Sequence, residues 1–461
     1  MCCIPYFLFR VSYHDRGLRN PEEVTEFAWL AAQNHGLGSE CWHPCAGACK
    51  PAPPRVVASE RRVSWHGGFS LNHDTLDAAK LMSNQPRVAV VGAGAFGGWI
   101  ALYLLRGGAR VTLLDAWGPG NSRSSSGGET RIMRGAYGPN QPYTSLAARA
   151  IELWREHEAQ WKRKFFHPIG VLWMIEGDGK FERGSLPLLK EAGIPFEQLE
   201  ADEVACRWKQ INLQNIDWAI YEPQSGYLLA RESAQAVVEH FIAEGGEYRH
   251  AAVRAEALEG SDWSGLSLSD GSQLAADRYI FACGPWLGQL FPQTVGPHFL
   301  STKQDVFFFG TPAGDTRFEE GSLPVWAHHS GRFMYGIPGN QNRGFKLADD
   351  TRGPEFDPTS GPRIVDQDRL AAARRYLAHR FPGMKDAPLL ETRVCQYENT
   401  TDHNFIIDRH PRNQNAWIIG GGSGHGFKHG PALGEIVTRL VLKDEASEPV
   451  YRLERFENAK A

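Results

Sequence analysis

The fold is decided by Arg87-Val-Ala-Val-Val-Gly-Ala-Gly-Ala-Phe-Gly97, a short apolar run that passes directly into three spaced glycines. Apolar residues then recur at helical spacing over Ala95–Arg106, and a second β-rich run, Arg110–Leu114, leads to Asp115. This succession predicts a strand, a tight turn, a helix and a second strand, which together open a parallel sheet covered by helices.

The glycines Gly92, Gly94 and Gly97 have the spacing of a dinucleotide-binding turn. The first permits the tight turn, the second lets the backbone approach a pyrophosphate, and the third lets helix and strand pack closely. The helix N-terminus offers N–H donors and partial positive charge to the phosphates. Asp115 can accept hydrogen bonds from ribose hydroxyls. The motif predicts a Rossmann-type site but does not separate NAD from FAD.

The composition is that of a globular protein of about two to three domains. The 461 residues carry a formal net charge of −4, and 42% of them are hydrophobic. This near balance of charge argues against a nucleic-acid partner or a basic membrane surface. No apolar run approaches the roughly 18 residues of a membrane span. The start, Cys2–Phe9, lacks the pattern of a signal peptide, so we expect a cytoplasmic protein.

Residues 1–81 differ from the rest of the chain. They hold five of the eight cysteines and a proline-rich stretch, without sustained periodicity. We interpret them as a poorly ordered N-terminal extension, and Met82 is a candidate for the natural start. The run Cys41-x3-Cys45-x3-Cys49 matches neither common zinc nor ferredoxin spacing, and we predict no metal site. The few remaining cysteines fit a reducing compartment.

The stretch Gly128-Glu-Thr-Arg-Ile-Met-Arg-Gly-Ala-Tyr-Gly138 identifies a family. Together with the glycine turn and Asp115, it closely resembles the monomeric sarcosine oxidase and N-methyltryptophan oxidase group of the D-amino-acid-oxidase-like FAD enzymes. The resemblance runs from about Arg87 to about residue 445. Four further segments support it: Ile280–Trp286, Tyr335–Pro338 with Gly344–Lys346, Val394–Tyr397 with Asp402–Asp408, and Ser423–Lys428.

The resemblance implies an α/β protein with two domains. One is a Rossmann-type FAD-binding domain, and the other is an α+β substrate domain built on a mostly antiparallel sheet. Substrate would lie between them. We expect an FAD-binding domain of 82–138, 226–286 and 387–445, a substrate domain of 139–225 and 287–386, and a C-terminal tail of 446–461.

The resemblance also assigns residues to the cofactor. Cys395 matches the family cysteine that joins the flavin through a thioether, which implies covalent FAD; an ordinary buried cysteine is the alternative. Gly426 and Phe427 precede the last helix, where backbone N–H groups would stabilise negative charge on the reduced flavin. The predicted cofactor-binding residues are therefore Gly92, Gly94, Gly97, Asp115, Cys395, Gly426 and Phe427.

Two cations match the catalytic positions of the family. Lys346 matches the lysine placed over the flavin, and Arg131 matches an arginine close to it. A fixed cation in a dry site stabilises the negative charge that forms when O2 is reduced. The alternatives are a lysine with a packed stem and a solvated head, and an arginine in a surface salt bridge.

Four side chains match the substrate site. Arg134 and Lys428 match the pair that holds the substrate carboxylate, for which a planar guanidinium and a point charge are well suited. Arg131 and Arg134 would share one face if the backbone between them were helical. Tyr335 and Tyr397 align with aromatic residues that line the substrate cavity, although tyrosine also serves as core filler.

Two positions depart from the family pattern. Ser126-Gly127-Gly128 stands where close relatives carry a histidine before the arginine motif. Asp350, preceded by Asp349, stands where sarcosine oxidases carry another histidine. These positions shape the pocket, and extra carboxylates favour a substrate with a second cation over sarcosine itself.

The resemblance implies oxidation of the C–N bond of a secondary-amine amino acid, such as an N-methyl amino acid, to an imine, with O2 reduced to H2O2. Three alternatives stay open: a flavin dehydrogenase with another acceptor, a non-catalytic flavin protein and an NAD-dependent enzyme. Lys346 argues against the first, the clamp of Arg134 and Lys428 against the second, and Cys395 against the third. We expect these four residues and Arg131 to surround one cavity beside the glycine turn.

Overall fold

A computed structural model describes residues 85–255, 258–260 and 263–458 of the chain. The predicted N-terminal extension, 1–81, and its cysteine run lie outside these residues. Within the described residues, no helix has the length and apolar character needed to cross a membrane.

The chain alternates strands and helices through most of its length. The strands are β1 Arg87–Val91, β2 Arg110–Asp115, β3 Thr130–Met133, β4 Phe166–His167, β5 Val171–Ile175, β6 Glu197–Glu200, β7 Trp218–Glu222, β8 Gly226–Leu229, β9 Glu247–His250, β10 Leu266–Ser267, β11 Gln273–Leu274, β12 Arg278–Phe281, β13 Phe299–Phe309, β14 Val325–Ser330, β15 Arg332–Ile337, β16 Phe345–Asp349, β17 Leu389–Thr400, β18 Ile406–His410 and β19 Asn413–Gly420. The α-helices are α1 Ala95–Arg106, α2 Gln141–Trp161, α3 Lys180–Glu191, α4 Ala201–Arg207, α5 Ala230–Ala243, α6 Leu287–Leu290, α7 Gln367–Arg380, α8 Gly430–Leu442 and α9 Arg455–Asn458.

A six-stranded sheet carries the glycine turn. Its strand order is β18-β19-β12-β1-β2-β9, and every pair is parallel except β18 with β19. One face packs its apolar side chains against α1, α2, α5 and α8, and the other face packs against α6 and the segment around β10. The carboxyl ends of β2, β1, β12 and β19 therefore meet at one edge, which is where open α/β sheets bind ligands.

An eight-stranded sheet forms the second large layer. Its strand order is β17-β13-β16-β15-β14-β5-β7-β6, and it is antiparallel at every pair except β14 with β5. The predicted α/β fold with a mostly antiparallel second sheet is confirmed. A smaller antiparallel sheet, β3-β8-β4, carries the arginine motif.

Strand β17 and the two strands that follow it in the chain belong to different sheets. It pairs with β13 along its whole length in the eight-stranded sheet, although segment 387–445 is assigned to the FAD-binding domain from the sequence. The rest of that segment supplies β18 and β19 to the six-stranded sheet. The division of the chain into domains stays a prediction.

Candidate active site

Steric contacts at the turn after β1 explain two of its three glycines. Gly92 has a φ of +104°, and a Cβ there would lie 2.2 Å from the carbonyl oxygen of Ala282 on the neighbouring strand. A Cβ on Gly97 would lie 1.8 Å from the carbonyl oxygen of Gly92. Both contacts are with backbone, so no side chain is tolerated at either position. Gly94 is less constrained, because its Cβ would lie 3.3 Å from Ser126 Oγ.

Two polar side chains hold the turn in shape. Asp115 Oδ2 accepts a hydrogen bond from the N–H of Ala93 at 2.7 Å, and its Oδ1 accepts two more, from Trp117 and Gly118. Burial raises the pKa of Asp115. Ser126 Oγ accepts from the N–H of Ala95 at 2.9 Å, so the serine at the first departure from the family pattern caps the helix that follows the turn.

A cavity of about 380 Å³ opens at this edge of the sheet. Its walls include the glycine turn, Asp115, Arg131, Tyr397, Gly426 and Phe427. Two buried polar groups in the same wall, the Ser125 hydroxyl and the Glu398 carboxyl, lie beside each other, and Ser125 Oγ and Glu398 Oε2 have no further hydrogen-bond partner. The cavity thus has glycine backbone that a pyrophosphate could approach closely, a helix N-terminus, and polar groups that are not fully hydrogen-bonded. The residues present fit FAD.

The strand register aims several predicted residues at one side of the eight-stranded sheet. On β13, the partners of Tyr397, Cys395 and Lys346 are Thr302, Gln304 and Phe308, respectively. These partners differ by two or four positions, and residues two apart in a strand share a face. The pairings of β16 with β15 bring Tyr335 to the same face.

A second cavity, of about 300 Å³, contains Arg131, Lys346 and Cys395. Arg131 lines both cavities, and its Nη2 lies 3.5 Å from Cys395 Sγ. Lys346 is only 4% exposed, and its Nζ donates to the carbonyl oxygen of Thr130 at 3.0 Å. Burial, reinforced by the positive charge of Arg131, lowers the pKa of Lys346 to about 7.

Arg134 and Lys428 meet at a tyrosine that the sequence analysis does not select. The guanidinium carbon of Arg134 lies 4.1 Å from the ring centroid of Tyr137 and 5.1 Å from that of Trp173. Lys428 Nζ donates to the Tyr137 hydroxyl at 2.9 Å. Burial, followed by the charge of Arg134, holds the pKa of Lys428 well below its usual range.

A buried carboxylate positions the loop that bears Arg134. Glu222, at the end of β7, accepts hydrogen bonds from the N–H groups of Gly135 at 2.7 Å and Ala136 at 3.2 Å. It also accepts from Trp173 Nε1 at 2.9 Å and Ser225 Oγ at 2.6 Å. Glu222 makes these hydrogen bonds to the loop backbone and to neighbouring side chains, so it fixes the position of the loop. It makes none to the Arg134 guanidinium, which can therefore bind another group.

The two predicted tyrosines lie together. Their hydroxyl oxygens are 3.5 Å apart, and the Tyr397 hydroxyl also donates to Asp350 Oδ1 at 2.7 Å. Burial raises the pKa of Asp350 to about 6. Lys346 Nζ lies 5.7 Å from the ring centroid of Tyr335. The neighbouring Asp349 instead bridges Arg332 at 3.2 Å.

The backbone between the two arginines is not helical, because Arg131 lies within strand β3 and Arg134 directly follows it. The Arg131 side chain extends towards Cys395, whereas that of Arg134 extends towards Tyr137. The predicted residues lie in two neighbouring groups, and their convergence on one bound substrate and cofactor stays a prediction.

Sequence reasoning missed Tyr137, Glu222 and Glu398. Tyr137 lies inside the arginine motif Gly128–Gly138, directly before its last glycine, Gly138. The motif itself could therefore have pointed to this tyrosine. Glu222 and Glu398 carry no local signal, because their importance comes from burial beside segments that are distant in the chain.

Known proteins resemble this chain in sequence and in fold. The model of the family described as FAD-dependent oxidoreductase matches residues 87–440. A monomeric sarcosine oxidase of Bacillus sp. (strain B-0618) is 32% identical over 385 residues, which cover 81% of this chain and 97% of the relative. An N-methyl-L-tryptophan oxidase of Yersinia pestis (strain Pestoides F) is 27% identical over 373 residues, covering 78% of this chain and 95% of the relative.

Solved structures share the fold. The L-proline dehydrogenase from P. horikoshii superimposes with a TM-score of 0.71 at 21% identity, covering 81% of this chain and 98% of that one. A thermally stable mutant of fructosyl peptide oxidase gives a TM-score of 0.69 at 21% identity, covering 80% of this chain and 94% of that one.

Proposed function

Because the chain belongs to the family of FAD-dependent oxidoreductases, we propose that it oxidises an N-methylated or other secondary-amine amino acid to an imine, with O2 as the electron acceptor and H2O2 as a product. It is a sarcosine oxidase-like enzyme that acts on CH–NH groups. The relatives named for sarcosine and N-methyl-L-tryptophan support an N-methyl amino acid as substrate. The amine loses two electrons and two protons, and O2 gains both.

The observation that carries this proposal is the placement of Lys346. It lies buried in one cavity with Arg131 and Cys395. FAD, when bound, supplies the two-electron acceptor between amine and O2. A fixed ammonium group in this water-poor position stabilises negative charge on oxygen as it is reduced. Arg131 adds a second positive charge beside it.

Arg134 and Lys428 would bind the substrate carboxylate. Within the described part of the chain, neither side chain forms a salt bridge; Arg134 donates to the carbonyl of Ala136 and Lys428 to the carbonyl of His425. Two carboxyl groups within electrostatic range of Lys428, Glu222 and Asp350, are hydrogen-bonded to other groups. A buried cation without a carboxylate in direct contact is costly. A ligand carboxylate removes that cost, and the guanidinium can bind it through two hydrogen bonds.

Asp350 would select the substrate side chain. Its carboxyl group lies at the tyrosine pair, within electrostatic range of Arg134. A substrate held by its carboxylate at Arg134 would therefore have part of its structure near Asp350. We propose that this part carries a second positive charge.

Cys395 would hold FAD covalently. Its thiol is free and partly buried, and it lies on the same sheet face as Lys346. Arg131 Nη2 lies 3.5 Å from Cys395 Sγ and would keep the sulfur oriented towards the cavity.

Acid denaturation tests the cofactor and its linkage. The purified protein is precipitated with acid, and visible spectra of pellet and supernatant are compared with those of Cys395→Ala and of the matched control Cys206→Ala. We expect flavin absorbance in the pellet for the wild type and the control, and in the supernatant for Cys395→Ala. Flavin in every supernatant would remove the thioether, and no flavin in any fraction would overturn the proposed function.

Peroxide release tests the reaction. N-methyl amino acids with apolar, anionic and cationic side chains are supplied in air, and H2O2 is measured together with the flavin spectrum. We expect bleaching of the flavin and stoichiometric H2O2. Bleaching that persists in air would instead show a dehydrogenase that uses another acceptor.

A further inference from the structure

Glu398 is a buried acid in the wall of the cofactor cavity, and the proposed reaction does not use it. Its side chain is 8% exposed. Oε1 accepts a hydrogen bond from the N–H of Gly422 at 3.3 Å, whereas Oε2 forms no hydrogen bond of ordinary geometry, and the Ser125 hydroxyl is the other polar group beside this carboxyl. Leaving a buried carboxyl oxygen unpaired costs about 1–3 kcal/mol or more. Such an atom at a cofactor cavity indicates a contact that the cofactor completes.

The carboxyl group lies against bare backbone. A Cβ on Gly284 would lie 2.9 Å from Glu398 Oε2, and a Cβ on Gly422 would lie 2.7 Å from Oε1. The Ser125 hydroxyl faces the same cavity beside Glu398, and it forms no other hydrogen bond. Two neighbouring polar groups are thus available to one ligand, and the glycines keep side chains away from it.

The position of Glu398 along the chain tells which part of FAD it can reach. It follows Cys395 by three residues in β17, and it bonds to Gly422, just beyond the end of β19. Cys395 marks the flavin end of the site, and the Gly92 turn marks the pyrophosphate. With FAD bound in this way, Glu398 would lie beside the ribityl–diphosphate segment that connects these two ends.

Burial disfavours the ionised form of Glu398, and the hydrogen bonds from Gly422 and Ser125 offset this only in part. Asp115 lies nearby, since both carboxylates raise the pKa of Cys283 in addition to the effect of burial. The facing groups are Ser125, Cys283 and the N–H of Gly422, and none of them is positive. Among the described residues that line this cavity, Arg131 is the single cation, and it is bonded to the carbonyl of Ser125.

A pyrophosphate adds further negative charge to the same cavity. An ionised Glu398 would repel it, whereas a neutral carboxylic acid would offer it an O–H donor. Burial already raises the pKa of Glu398 to about 7.

We propose that Glu398 binds FAD as a neutral carboxylic acid that donates a hydrogen bond from Oε2 to the ribityl–diphosphate segment, so that cofactor uptake above neutral pH consumes a proton. The inference rests on the proposed function only for the identity of the cofactor. It is independent of the substrate and of the electron acceptor.

The test measures FAD affinity against pH. In full-length Cys395→Ala protein, binding is reversible, so the Kd of the flavin-free protein for FAD follows from quenching of flavin fluorescence between about pH 6 and about pH 9. We expect a constant Kd below about pH 7 and a rise approaching tenfold per pH unit above it, because one proton is linked to binding. Adding Glu398→Gln keeps a neutral donor and should make the profile flat.

A matched control and a second measurement complete the experiment. Glu391→Gln, on the same strand but beside Arg393, should keep the slope of the parent protein. Calorimetry of FAD binding to the parent in buffers of different ionisation enthalpy should show uptake of about one proton at about pH 8, without any change at Glu398.

The outcomes separate this inference from the proposed function. A flat profile in the parent, or a slope that survives in Glu398→Gln, would overturn the role of Glu398 while leaving FAD as the cofactor. Failure of the parent to bind FAD at any pH, with no flavin in the wild-type protein, would overturn both.

Discussion

The Tyr397 hydroxyl donates a hydrogen bond to Asp350 at 2.7 Å, which places a carboxyl group at the aromatic wall of the proposed substrate site. The family resemblance implies a histidine at this position. A histidine carries no charge or a positive one, whereas Asp350 introduces a negative charge within range of the Arg134 guanidinium. In the proposed site, Arg134 and Asp350 would thus offer opposite charges to the two ends of a substrate.

Asp350→Asn should change substrate preference. The variant keeps an acceptor for Tyr397 but loses the charge, so the ratio of kcat/KM for cationic over apolar N-methyl amino acids should fall by roughly tenfold or more, equivalent to about 1.4 kcal/mol. Asp349→Asn is the matched control, because that carboxylate bridges Arg332 and should leave the ratio unchanged. An unchanged ratio in Asp350→Asn would remove the second cation from the proposal.

The same variant should alter stability with pH. Burial raises the pKa of Asp350 to about 6 in the folded protein, so ionisation above that pH is a cost of folding. The cost is fully present above about pH 6 and disappears as the pH falls towards the unfolded value near 4. At about pH 8, the free energy of unfolding of Asp350→Asn should therefore exceed that of the wild type by up to about 3 kcal/mol, and its melting temperature should be higher. At about pH 4 the two proteins should melt at the same temperature. A difference that grows on acidification would contradict this assignment.

Lys346→Met should slow oxidation by O2 much more than reduction by substrate. Loss of one charge-stabilising group typically costs about 100- to 1,000-fold. The pKa of about 7 adds a pH signature: in the wild type the rate with O2 should decline as the pH rises through about 7, since the ammonium is lost, and Lys346→Met should lack that decline. Stopped-flow absorbance resolves the two half-reactions.

Lys303→Met is a suitable control for that experiment, because Lys303 pairs with Asp305 within β13, the strand next to that of Lys346. Equal slowing in both variants would indicate a structural effect and not the loss of a placed charge.

Arg134→Ala should raise KM without releasing FAD. Removing one member of a buried charge pair costs about 2–5 kcal/mol, so kcat/KM should fall by roughly 30- to several-thousand-fold. Arg155→Ala, at an exposed arginine bonded to Gln224, should be close to the wild type. The test is steady-state kinetics, with the flavin content of each variant measured in parallel. A normal KM in Arg134→Ala would show that Arg134 does not bind the substrate carboxylate.

Gly97→Ala and Gly98→Ala should differ sharply although the residues are adjacent. A Cβ on Gly97 meets the carbonyl of Gly92 at 1.8 Å, so the turn must deform and FAD affinity should fall. A Cβ on Gly98 meets Val237 Cγ1 at 3.4 Å, an ordinary contact, and alanine is the better helix former by about 0.5–1 kcal/mol. Flavin content and melting temperature report both effects; equal flavin loss would refute the steric explanation.

Local patterns predicted the parts of the fold that depend on local rules. The strand Arg87–Val91 and the helix Ala95–Arg106 have the predicted bounds, because apolar periodicity and glycine steric demands both act within a few residues. The helix Lys180–Glu191 is not predicted, since Pro187 interrupts its signal and tertiary packing overrides this.

The site was less accessible to sequence reasoning. The family resemblance led to Lys346, Cys395 and Arg134, but the separation of Arg131 from Arg134 depends on β3 being a strand. Glu398 could not be singled out, because its unpaired oxygen results from neighbours after β12 and β19.

The alternation along β17 constrains how this protein can change in evolution. Cys395 and Tyr397 point to one side of the strand, while Gln396 and Glu398 point to the other. Substitutions can alter each side chain separately, so substrate preference and cofactor affinity can drift independently. A single-residue insertion or deletion upstream in this strand would exchange the two sets at once, unless a bulge absorbed it. Length variation among descendants should therefore be confined to the loops at either end of the strand.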